Sequence, residues 1–172
     1  MTKLLLSIHV LASILVVGPI AVAASMFPRY ARQTAGEDGQ DGHSVGATVL
    51  LHRICSGYAV VGVAVPVFGI ATGAQLGVLT DAWLLASIVL TTIAAAILAL
   101  AILPGQERMI EAAAAAPADG AGAGTGAGGG GGGGSDRRRA AARLAGLTGV
   151  FNLLWAVVVV LMIVRPGSTT GA

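Results

Sequence analysis

The sequence predicts an all-α, polytopic membrane protein, an antiparallel four-transmembrane-helix bundle with both termini outside the cytosol (N-out/C-out). Three observations carry this prediction. Four apolar stretches are each long enough to span a bilayer. The mean hydropathy is +0.84, with 55% hydrophobic and 10% charged residues, whereas a soluble domain carries about a quarter charged residues. Nearly all the positive charge sits beside the segments that follow the first and third stretches.

A spanning helix needs about 20 mainly apolar residues, because each adds about 1.5 Å across a hydrocarbon core about 30 Å thick. The first stretch runs over 4–26, between Lys3 and Pro28-Arg29. The second covers about 47–72, with His52 and Arg53 near its start. The third covers 82–103 and meets Pro104-Gly105, which reads as a helix stop. The fourth covers about 144–164 and ends at Arg165-Pro166-Gly167. The runs are too long and too continuous for barrel strands, which alternate with period two.

Direction follows from the flanking Lys and Arg. Arg29, Arg32, Arg53, Arg108, Arg137, Arg138, Arg139 and Arg143 lie around the first and third connections, and only Lys3 and Arg165 lie on the other side. The second connection, Gly73 to Asp81, has no positive charge. The positive-inside rule therefore places the first and third connections in the cytosol. Lys3, the first apolar run and Ala21-Val22-Ala23 also read as a secretory signal peptide. Cleavage there would reverse every later span and export the Arg137–Arg139 cluster, so a retained span is the better reading.

Segments 4–26, 47–72, 82–103 and 144–164 form a single membrane domain, leaving no room for a separate soluble one. The first connection, Phe27 to Gly46, mixes Arg with Glu37, Asp38 and Asp41 and reads as solvated loop; His43 in it is a lone histidine. Gln106 to Ala116 is helix-prone and extends the third span. Residues 117–135 hold the unbroken Gly128–Gly134 run, a flexible cytosolic linker that buries too little to offset its ordering entropy. No Gly-Lys-Ser/Thr follows, so a phosphate loop is not indicated. Arg137, Arg138 and Arg139 can also hold anionic lipid head groups. Nine of the ten basic residues are Arg, and Ala, Gly and Val dominate; this bias associates with bacterial genomes and points to the inner (plasma) membrane.

Polar groups inside apolar spans are costly, so function is sought there. His9 shares a helical face with Ala12, Ser13, Val16, Ala23 and Ala24, a small-residue face that looks into the bundle. It is an axial ligand to haem or another metal, a proton-relay group, or a histidine bonded to a neighbouring helix, with Ser87 or Asp81 at matching depth. The face of His52 continues through Ser56, Ala59, Val63 and Pro66, and Asn152 lies at a depth that His52 can reach. Arg53 can snorkel to the interface. Each histidine is about five residues from its own end of antiparallel spans, which leaves the two roughly 15 Å apart along the normal. One haem iron cannot take both. Asn152 shares a face with Thr148, Trp155 and Ala156; Trp83 beside Asp81 fits an aromatic belt. Pro19 and Pro66 predict kinks. Gly69, Gly73 and Gly77 form a small-xxx-small series. Cys55 is the sole cysteine and reads as a small buried hydrophobe. No catalytic constellation is present.

The run Ser7-Ile8-His9-Val10-Leu11, Gly18-Pro19, then Phe27-Pro28-Arg29-Tyr30-Ala31-Arg32, with Leu51-His52-Arg53 and Leu161 to Gly167, resembles an actinobacterial family of integral membrane proteins of unknown function. That likeness covers nearly the whole chain outside the glycine-rich insert and implies no activity. His9, Gly18, Pro28 and Arg29 are also distantly similar to copper-resistance D and membrane protoporphyrinogen-oxidase type four-helix proteins. This second resemblance implies haem or copper at His9. The expected role is that of a non-catalytic accessory or interaction protein. The alternatives are a haem- or metal-binding redox protein using His9, and with it His52, or a small oligomeric transporter.

Overall fold

The structure, a computed structural model, describes residues 2–33, 42–115 and 132–167. These form helices α1 (Thr2–Gln33), α2 (Gly42–Gly62), α3 (Ala64–Leu76), α4 (Ala82–Ile97), α5 (Leu103–Ala114) and α6 (Gly132–Val164), with a π-helical turn, Leu98–Ile102, joining α4 to α5. No strand occurs among the described residues. Four continuous or nearly continuous helices are long and apolar enough to cross a membrane: Lys3–Gln33, Val45–Leu76, Ala82–Ala114 and Ser135–Val164.

These helices of 30 to 33 residues are about 45–50 Å long, so each overshoots the hydrocarbon core by several turns. The first helix passes through Pro28 rather than ending before it, because that turn is packed. Phe27, Pro28 and Ala31 are buried, and Phe27 and Ala31 cluster with Leu144 against Leu51, Met109 and Ile110. What reads as a loop over Phe27 to Gly46 is therefore helical at both ends. The third helix likewise runs through Pro104-Gly105 instead of stopping. Proline lacks an N–H and clashes with the preceding turn of a regular α-helix. Here the turn before it is widened: the Leu103 amide donates to the Leu98 carbonyl, five residues back. Gly105 then lets α6 come close, since a Cβ there would stand 2.9 Å from Leu144 Cδ1.

The second span breaks where Pro66 removes the amide that Gly62 O would accept. Val63 forms a turn between α2 and α3, held by long bonds of 3.3 Å to Val60 O and 3.4 Å from Val67 N. Pro19 stands inside the uninterrupted α1. Helix α3 ends in Gly77 at φ 68°, whose left-handed backbone lets its amide reach Ala74 O and Gly73 O.

Helix α1 is central, packed against α2, α3 and α6, while α4 packs on α6. The core holds Val16, Ile20, Ala23, Ala24, Cys55, Val65, Ala94, Leu98, Ile102 and Phe151. Outside it the helices are apolar: Leu100 is 78% exposed, Val60 and Ile163 75% each. Such a continuous exposed apolar surface is what a lipid environment stabilises and water does not. The 117–135 linker lies outside the described residues as far as residue 131, and α6 already begins at Gly132.

Candidate functional site

Two polar positions inside the bundle come from the histidines, and they are separate. Near the start of α1, His9 Nδ1 lies 2.9 Å from the Val65 carbonyl oxygen on α3. A carbonyl only accepts, so Nδ1–H donates, an arrangement that in a neutral ring leaves the lone pair on Nε2. The imidazole lies against bare backbone: a Cβ on Gly69 would stand 2.9 Å from His9 Cε1 and 3.2 Å from Nδ1. The partner of His9 is thus a backbone carbonyl of the second span, not Ser87 or Asp81. Ser87 Oγ donates to Trp83 O at 2.8 Å. Asp81 Oδ2 accepts from Trp83 Nε1 at 3.1 Å, while the Arg165 guanidinium lies 5.6 Å from the Trp83 ring centroid. Trp83 is buried beneath that cation.

The second position joins α2 to α5. His52 Nδ1 lies 3.1 Å from Gln106 Oε1, and Gln106 Nε2 donates to Cys55 Sγ at 3.7 Å. His52 Nε2 lies 3.3 Å from Ser56 Oγ and 3.6 Å from Glu107 Oε1. Gln106 and Cys55 are fully buried. A neutral ring donates from Nδ1 and accepts from the Ser56 hydroxyl; a protonated ring faces the Glu107 carboxylate. Asn152 does not reach His52. Its Nδ2 donates to Ser25 Oγ at 3.2 Å on α1. Thr148 Oγ1, Asn152 Oδ1 and Trp155 Nε1, on one face of α6, are buried without a protein partner among the described residues. Arg53 is exposed on the outer side of α2.

Gln106 and Glu107 were not legible as site residues, because Pro104-Gly105 reads as a stop and places them beyond the span. The available signal was a Gln-Glu pair standing directly after an apolar run. The three spaced glycines do three different things: Gly69 seats His9, Gly73 admits Leu84 with a Cβ position only 2.8 Å from Leu84 Cδ2, and Gly77 turns the chain.

His9 and His52 do not fit one haem or metal held between them. His52 lies 13 helical residues from Val65, about 20 Å away along the span, and both its nitrogens face protein groups. Among the described residues no three His, Cys, Asp or Glu side chains gather in a metal-holding group. No protein-family model, curated protein or solved structure matches the chain.

Proposed function

We propose that this chain is a multi-pass protein of the bacterial plasma membrane, an antiparallel bundle with both termini outside, that works as a non-catalytic interaction or accessory subunit. The antiparallel reading is supported by which ends touch. The start of α1 meets the late part of the second span at His9 and Val65, and its end meets the early part of the fourth at Phe27 and Leu144. The orientation rests on the Arg excess of the first and third connections. That excess, with Arg137, Arg138 and Arg139 all beside the membrane, also favours anionic lipid at the third connection.

One observation carries the non-catalytic role. The side chains best equipped for chemistry, His9, His52 and Cys55, are bonded to other helices of the same bundle. They work as helix-to-helix contacts, and the hydroxyl beside His52, Ser56 Oγ at 3.3 Å, stands one turn along the same helix. The haem reading retains one favouring feature: an Nδ1–H bonded to a carbonyl leaves Nε2 as the ligating nitrogen, the usual arrangement in metal-bound histidine.

The test is an absorption spectrum of detergent-purified protein, oxidised and dithionite-reduced, with a His9→Ala variant alongside. The expected result is a colourless protein from haem-replete cells, recovered after in-cell cross-linking with a defined membrane partner. A near-stoichiometric Soret band that vanishes in His9→Ala would overturn the accessory reading in favour of haem. Substrate flux in proteoliposomes that depends on oligomer formation would overturn it in favour of transport.

A further inference from the structure

On the outer side of α2, Arg53, Ile54, Gly57, Tyr58 and Val61 line a shallow open groove of about 300 Å³. The spacing explains the shape. Residues 53, 57 and 61 stand one turn apart in a row, with 54 and 58 in the neighbouring row, so the missing side chain of Gly57 leaves a notch between them. Nothing lies within 4 Å of a Cβ position at Gly57, so no other helix fills the notch. Its walls are apolar and face outward, with Val61 56% and Tyr58 37% exposed.

A cation stands at one end of this notch. Arg53 lies six residues past Ala47, about 9 Å inside the apolar run. It is exposed and forms no ion pair among the described residues. The acid on the facing helix, Glu107, is turned to His52 at 3.6 Å. An unpaired guanidinium at that depth on a lipid-facing side is costly unless it reaches a counter-charge at the interface. The Arg53 side chain leans toward that end of the span, and the first negative group available there is a lipid phosphate.

We infer that this groove is a binding site for one anionic phospholipid, its phosphate held by Arg53 and an acyl chain lying in the Gly57 notch between Tyr58 and Val61. The site goes beyond the accessory role and depends only on the chain being in a membrane. It is also distinct from diffuse attraction at Arg137–Arg139, because it requires both a cation and a chain-shaped groove.

The experiment measures thermal unfolding of the delipidated full-length protein in neutral detergent while dioleoyl phosphatidylglycerol is titrated in. Dioleoyl phosphatidylcholine and water-soluble glycerophosphate serve as controls. Saturable stabilisation by phosphatidylglycerol alone is expected. Arg53→Gln should weaken the apparent affinity about fivefold, the factor that corresponds to one basic contact near the surface. Gly57→Leu, which fills open space and so preserves the fold, should weaken it at least as much. Replacing Arg137, Arg138 and Arg139 together by Gln should leave the saturable phase in place. Undiminished lipid response in both groove variants would overturn the proposal. So would an equal response to glycerophosphate, or a dimer that Gly57→Leu dissociates with no lipid dependence.

Discussion

His9 illustrates how a costly polar side chain is accommodated in an apolar span. Its donor finds the Val65 carbonyl, beside a helix break that Pro66 creates, and its ring finds room because Gly69 has no side chain. The two conditions are coupled, which makes the pair testable. Gly69→Ala places a Cβ 2.9 Å from the ring, so the imidazole must leave its carbonyl. We expect destabilisation by about 1–2 kcal/mol, the range of an interhelical hydrogen bond plus local overpacking. In His9→Ala the same substitution should cost little, giving a coupling energy of about 1 kcal/mol in a double-mutant cycle. Additive effects, read by thermal or denaturant unfolding in detergent, would show that His9 and Gly69 do not share this contact. The sequence made one half of this legible: the small-residue face around His9 says that it looks inward. The other half was hidden, because an accepting backbone carbonyl belongs to every residue and carries no signature of its own.

At the level of elements, apolar run length reveals that a helix crosses the membrane but not where it stops. Hydropathy falls off at the head groups while the backbone continues to gain bonds and packing, so the chain stays helical past Pro28 and Pro104. The π-helical turn is the clearest case. It holds one residue more than an α-helical turn, and no side-chain pattern in Leu98–Ile102 announces it. Its consequence is large, since it sets the angular position of everything downstream, including Gln106 under His52 and Cys55. Deleting one exposed residue inside the turn, Ala99, should convert it to α-helix and leave Gln106 facing inward. Deleting exposed Ala95 in α4 should rotate Gln106 away by about 100°. Cys55, the sole cysteine and fully buried, reports the difference. We expect slow maleimide labelling in the wild type and the Ala99 deletion, and fast labelling in the Ala95 deletion. Equal protection in both deletions would mean that Gln106 is not held by the register of this helix.

For the whole molecule, packing and charge speak to different questions. The contacts place four helices side by side, with apolar residues both inside and outside, and a bundle of this kind is as stable upside down as upright. Orientation is decided during insertion, by which flanks resist translocation. Eight Arg lie around the first and third connections, while Lys3 and Arg165 lie at the other two span ends. Arg165 has a further attachment, lying over the buried Trp83 ring that Asp81 holds, which fixes that cation at the end of the bundle where the second connection turns. Alkaline phosphatase fused after the fourth span should therefore be active, and green fluorescent protein placed within the glycine-rich insert should fluoresce. The Arg cluster before the fourth span is the strongest single determinant, because its four members lie within seven residues of one another. Replacing Arg137, Arg138, Arg139 and Arg143 by Gln should lower phosphatase activity of the C-terminal fusion by a clear fraction, as some chains insert with that end in the cytosol. Replacing Lys3 and Arg165 instead should leave it unchanged or raise it. Full phosphatase activity after loss of the cluster would assign the orientation to the earlier Arg29 and Arg32. A fluorescent C-terminal fusion in the wild type would reverse the orientation while leaving the helix contacts as they are.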